Sequence, residues 1–321
     1  MAPLSTLSPA RPETLSEPAR MQRQLIVTAD DFGLHEAVNE AVERASRAGI
    51  LTAASLMVSA PAAADAVRRA RRLPGLRVGL HLVLADGWAS LPPQQIPGIA
   101  DATGHIGEEM FLRGVRYFST ASVRRQLEAE IRAQFAAFAR TGLPLDHINA
   151  HKHFHLHPVV GALIASIGAR FGLRAARAPI EPRRVLRRVE RQRGWAPAWL
   201  PGAFALLLRR RLRAAGIVVP DHVFGLRWSG QMTTQRLSGL IRNLPDGLSE
   251  IYLHPATGPY PGSAPGYRYR EELDALVADE VAAACRDASL RLGGFADFLG
   301  SQAPSRPGPS HGAMSKGSLL P

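Results

Sequence analysis

Four stretches of the chain concentrate side chains able to hold a cation or move a proton: Asp30-Asp31-Phe32-Gly33, His81, the run His147-x-Asn149-x-His151-x-His153-x-His155-x-His157-Pro158, and His254-Pro255. Neighbouring side chains of a strand point to opposite faces, so two adjacent aspartates can serve one site only where the chain leaves a sheet. Gly33 is expected to supply that turn. One carboxylate can then bind a cation while the other accepts a proton from water. The plain alternative is that Asp30 or Asp31 caps the helix that follows.

Five of the eleven histidines fall at alternate positions from 147 to 157. If the segment stays extended they share one face and line a cavity. At most two of them can hold one ion together with a partner such as His81, leaving the others to bind substrate or orient the ligands. His81 taken alone reads as an ordinary core histidine, and His35, His105, His222 and His311 read as structural. A carboxylate and two imidazoles leave positions open on a divalent ion, which is what metal-assisted hydrolysis needs. Zinc suits the nitrogen donors, while magnesium, manganese or cobalt are compatible with an oxygen-rich remainder.

Such residues need a scaffold, and short β-branched runs alternating with helical ones predict a parallel α/β architecture. Strands are expected at 25–29, 55–59, 77–84, 145–151, 222–227 and 250–254, and helices at 36–48, 62–72, 121–140, 159–171 and 271–287. Residues 85–119 lack a strong period and read as a long active-site loop. With no dinucleotide-binding glycine fingerprint, the pattern favours a TIM-barrel-like (β/α) barrel, seven-stranded or irregular, over an open doubly wound sheet. Each chemical stretch would then sit near the C-terminal end of a strand. The expected layout is a barrel over 21–300 carrying an insert at 181–216, between disordered tails at 1–20 and 301–321.

Composition removes several classes. The 321 residues include one cysteine, Cys285, so neither a disulfide scaffold nor a cysteine zinc finger is available. The absence of a signal-peptide pattern makes the cytoplasm the expected compartment. The net charge is +12, yet ten arginines against Glu190 lie within 183–213, so the basicity is local. That block brackets an uncharged stretch, 195–208, with Trp195, Trp199 and Phe204. Fourteen residues are too short to span a bilayer of about 30 Å, and the pattern instead suits a membrane-surface element contacting lipid through these aromatics and through Arg209, Arg210 and Arg211. An ordinary helical insert packed on the barrel is the alternative.

The segments TADDFG, GLH, the histidine run and the late His254-Pro255 resemble the YdjC-like family of carbohydrate deacetylases, over about residues 24–298. The resemblance implies a barrel-like metal enzyme in which Asp31, His81 and His151 hold one divalent ion and Asp30 is the catalytic base. The chain departs from the family at Asn149 and Lys152, where Asp and His are usual, which touches the surroundings of the ion rather than its ligands. Asn149, His153 and His155 are then expected to contact substrate or support the ligands, and His254 is the candidate general acid toward the leaving amine. LTAASLMVSAPAAADAV and AHKHFHLHP are similar to the branch associated with hopanoid biosynthesis, implying an N-acetylglucosaminyl bacteriohopanepolyol as substrate.

The expected partners are therefore a glycosylated lipid or N-acetylated sugar, an anionic membrane surface at the inner face, and a second copy in a homodimer. Two rival readings remain: deacetylation of soluble chito-oligosaccharides, and a barrel that holds a metal without turnover while the arginine block binds nucleic acid. The second lacks a nucleic-acid motif, so no nucleic acid is expected as a partner.

Overall fold

The structure, a computed structural model, describes residues 23–190 and 199–300. Its elements in chain order are β1 (Gln24–Phe32), α1 (Glu36–Ala48), β2 (Ala53–Leu56), α2 (Ala63–Ala70), β3 (Arg77–Leu82), β4 (Gly87–Trp88), β5 (His105–Ile106), α3 (Met110–Ser119) and α4 (Ala121–Arg140). There follow β6 (Ile148–Ala150), α5 (Pro158–Gly168), α6 (Arg183–Val189), α7 (Trp199–Ala214), β7 (His222–Phe224), α8 (Thr234–Arg242), β8 (Leu248–Leu253), α9 (Tyr269–Val277), α10 (Asp279–Asp287) and β9 (Arg291–Leu292).

The strands β6-β3-β2-β1-β8-β7 form one parallel sheet, with β9 added beside β1. Their residues are buried almost throughout, as strands covered by helices on one side and by a barrel interior on the other must be. Residues 174–180 bring the two ends of this sheet together. Ile148 N donates to Ala175 O and Arg177 N to Ile148 O on the β6 side, while Ala175 and Val218 bridge, Ala176 N donates to Val218 O and Val223 N donates to Ile180 O on the β7 side. The sheet thus curls into an irregular TIM-barrel-like (β/α) barrel, as the alternating pattern predicted. The small antiparallel pair β4-β5 lies outside it.

The expected 85–119 loop is corrected in part, since it contains the β4-β5 hairpin and the ten-residue helix α3. α3 hid from the periodicity because Phe111, Leu112, Val115 and Phe118 face solvent, leaving Tyr117 as its buried residue. The expected helix 271–287 is two helices broken at Ala278. Within the insert, α7 is a helix packed on the barrel: Ala205, Leu208 and Leu212 are buried, and Leu208 lies where a Cβ on Gly161 of α5 would clash. Arg211 Nη1 donates to Pro158 O, and Arg213 pairs with Asp221. The expected tails, Trp195 and the side chain of Trp199 fall outside the described residues.

The barrel interior is not purely apolar. Arg177, fully buried, forms a bidentate pair with Asp30 at 2.6 and 2.9 Å and reaches Glu250 at 2.7 and 3.0 Å. Thr28 donates to the same Glu250 oxygen, and the guanidinium lies 4.3 Å from the centre of the Tyr252 ring. Burial alone would raise the Asp30 carboxyl, but the Arg177 guanidinium, with smaller help from His81 and His254, holds it well below the ordinary carboxylate range.

Arg177→Met would strand two carboxylates in the core and should cost about 3–5 kcal/mol. The pH dependence should also change sign. In the wild type the depressed Asp30 adds stability above its unfolded value that is lost on acidification below about pH 4. Without Arg177, burial raises the folded-state value, so the variant should gain stability as pH falls from neutrality. Urea midpoints measured from pH 7 to pH 4 test this, and parallel curves for the two proteins would refute the compensating role.

Candidate metal centre

Asp31, His81 and His151 converge at the C-terminal end of the barrel, with one potential ligand atom from each within 4.8 Å of the others. Asp31 Oδ1 stands 3.2 Å from His81 Nε2 and 3.0 Å from His151 Nδ1. Three different strand ends supply them: β1, β3 and the residue following β6.

Local backbone geometry aims these groups. The pairing of β1 with β2 shifts register between Ala29 and Phe32, and Asp31 itself takes a left-handed backbone, φ 63°. The turn expected from Gly33 alone is therefore shared by Asp31, and this bulge lets adjacent aspartates serve one site. Neither aspartate caps α1, because the cap is His35, whose Nδ1 accepts from Ala37 N. The extended histidine face is also corrected. β6 ends at Ala150, and residues 151–156 form a 3-10 segment in which Lys152 and His153 are left-handed. Of the five non-glycine residues with positive φ among those described, Asp31, Asp86, Lys152 and His153 belong to this mouth.

The five histidines consequently separate. His147 is fully buried below the centre, bonded to Asp146 and Ser55. His151 joins Asp31. His153 shares a 2.9 Å hydrogen bond with the Tyr252 hydroxyl, and His155 is buried with neither ring nitrogen bonded. His157 faces outward, bonding Gly114 O of α3. Burial, reinforced by Arg177, pushes His153 down to about 3, and burial likewise pushes His155 down, so both rest neutral. His151 is pushed up to about 9: burial opposes this, but Asp31 and Asp86 beside it prevail.

Asn149 explains itself once the geometry is visible. Its Oδ1 lies 2.6 Å from His81 Nδ1, while its Nδ2 donates to Asp30 Oδ1 and Ser55 Oγ. A carbonyl partner on Nδ1 turns the His81 Nε2 lone pair toward Asp31, as a metal ligand requires. Lys152 pairs with Asp86, whose carboxylate also lies 3.9 Å from His151 Nε2. His254 is half-buried near the same aspartates, its buried Nδ1 without a partner and its backbone N–H donating to Glu272. Burial pushes His254 down despite the nearby Asp31 and Asp30. Phe204 and Arg209 of the insert are half-buried and Arg210 and Arg211 exposed, all outside this cluster.

Sequence reasoning missed Arg177, Glu250, Tyr252 and Asp86. The available signal was a charge inside a small or apolar strand, Arg177 in AARA and Glu250 in LSEIYL, because a buried charge demands a partner. The donor set also fits a cation. The buried carboxylates of Asp30, Asp31 and Glu250 against the single guanidinium of Arg177 leave two formal negative charges at the centre, the complement of a divalent ion.

The family model described as YdjC-like protein matches residues 24–287. A carbohydrate deacetylase of Geobacillus stearothermophilus is 30% identical over 285 residues, 87% of this chain and 99% of that protein. A human carbohydrate deacetylase is 30% identical over 274 residues, covering 77% and 78% of the two chains. A chitooligosaccharide deacetylase of Klebsiella pneumoniae is 27% identical over 280 residues, 86% of this chain and 100% of that protein. The crystal structure of an Enterococcus faecalis protein superposes with a TM-score of 0.68 at 20% identity, covering 86% of this chain and 99% of that one, which supports the fold. A family match spanning most of the described barrel, together with the metal-type cluster at its mouth, means that this chain belongs to the YdjC-like family.

Proposed function

We propose that the protein is a divalent-metal-dependent carbohydrate N-deacetylase, and that its substrate is an N-acetylglucosaminyl bacteriohopanepolyol. The observation that carries the reading is the Asp31-His81-His151 cluster with the ionised carboxylate of Asp30 beside it. Relatives named as carbohydrate and chitooligosaccharide deacetylases support the reaction class. The lipid part rests on the sequence resemblance and on the insert, where Leu206, Leu207, Arg210 and Arg211 of α7 are exposed to meet an anionic membrane surface.

Asp31, His81 and His151 would hold the ion, which supplies Lewis-acid polarisation of the acetamide and of water. Asp30 accepts the proton that water loses on attacking the acetyl carbon. Arg177 keeps this carboxylate ionised and fixed in direction, and Asn149 holds both it and His81 in register. The proton that Asp30 takes from water passes to His254, neutral at rest, and from it to the departing amine as the C–N bond breaks, so that acetate and a free amino sugar leave and Asp30 and His254 return to their resting states. His153, bonded to the Tyr252 hydroxyl beside Arg177, would contact the sugar.

Mass spectrometry of the full chain with N-acetylglucosaminyl bacteriohopanepolyol and with diacetylchitobiose should show loss of one acetyl group, dependent on added zinc or cobalt and abolished by chelation. Preference for the lipid is expected, and turnover of the chitobiose alone would assign the enzyme to soluble oligosaccharides. No hydrolysis of either with metal bound would overturn the reading. Asp30→Asn should retain metal but lose about 10²- to 10⁴-fold in kcat. His254→Ala should harm amide substrates far more than activated acetyl esters, and equal damage would instead assign it to substrate binding.

A further inference from the structure

The four most exposed large apolar side chains among the described residues belong to α3, which neither the metal centre nor the insert uses. Phe111 is 81% exposed, Phe118 65%, Leu112 61% and Val115 51%. Their spacing at i, i+1, i+4 and i+7 puts them on one face of the helix, opposite the buried Tyr117. Four large apolar side chains in one exposed patch mark an interaction surface rather than scattered surface hydrophobes. The helix is also fastened at the mouth of the barrel: Tyr117 Oη donates to Leu84 O just beyond β3, and the His157 ring bonds Gly114 O.

The charges beside this face select its occupant. Arg116 on α3 and Arg124 and Arg125 near the start of α4, which follows α3 after a single residue, are exposed and enter no ion pair among the described residues. The acidic Glu108 and Glu109 stand at the other end, ahead of α3. An apolar helical face bordered by free arginines is what an anionic lipid surface takes up, with the aromatic side chains in the acyl boundary and the guanidinium groups at the headgroups. We infer that α3 is a membrane-docking helix that seats the barrel mouth on anionic lipid. It extends the lipid part of the functional reading by a separate element, and it does not depend on the insert or on turnover.

Flotation of the full-length protein with phosphatidylcholine vesicles, with and without phosphatidylglycerol, tests it. Binding should require phosphatidylglycerol. Phe111→Ser with Phe118→Ser should weaken it at least about ten-fold at low and high salt, whereas Arg124→Gln with Arg125→Gln should weaken it at low salt only. Circular dichroism confirms the fold, and the arginine pair keeps the test open should the phenylalanine variant misfold. Undiminished binding of a folded phenylalanine variant would overturn the role of α3 even if the insert binds lipid. Failure of the wild type to bind would also overturn it. So would a wild-type dimer by light scattering that the phenylalanine variant converts to monomer without loss of vesicle binding, for the face would then belong to a second copy.

Discussion

One guanidinium shared between two carboxylates organises this barrel. Arg177 lies on the segment that brings the ends of the sheet together, Asp30 on β1 and Glu250 on β8. Taking three charged groups out of water is costly, and what offsets the cost is the bidentate geometry with Asp30 and the additional donor from Thr28. The same contacts that fasten residues 174–180 therefore fix the direction of the Asp30 carboxylate. Closing the fold and aiming the proposed base are one event.

Above this layer, the site is built from backbone conformations that side chains ordinarily avoid. Left-handed Asp31, Asp86, Lys152 and His153 cluster at the mouth, each an energetic expense that only surrounding structure sustains. Without the bulge at Asp31, the two aspartates of β1 would face opposite sides of the sheet. Without the turn at Lys152 and His153, the histidines could not divide between the cluster, the Arg177 layer and the α3 contact. The residual negative charge completes the picture, since the carboxylates of Asp30, Asp31 and Glu250 exceed the one guanidinium of Arg177 and a divalent ion would supply the countercharge.

Much of this was legible in the chain. The helices at 36–48 and 121–140 bury regular apolar stripes, so their periods survive in the sequence, and the alternation of strands and helices predicted the barrel. The Asp-Asp pair stands out by type and by position at a strand end, whereas His81 alone reads as a core histidine and His151 is singled out from its run only by the family resemblance. α3 was invisible because its apolar residues face outward and leave no core-facing period. The histidine run misled because period two implies a strand only where the backbone remains extended, and tertiary demands override it after Ala150. Arg177 was concealed by composition: among 39 basic residues, nearly all arginine, residue type carries no signal and only burial distinguishes it.

The central claim is that this charge arrangement exists to hold a divalent ion between Asp31, His81 and His151. An anomalous-difference map from crystals grown with zinc or cobalt tests it most directly. The account predicts one strong peak about 2.0–2.2 Å from a carboxylate oxygen of Asp31 and from a ring nitrogen of each histidine, with the Arg177-Asp30 pair intact below it. A peak that lies elsewhere in the barrel, or no bound ion at saturating metal, would contradict it.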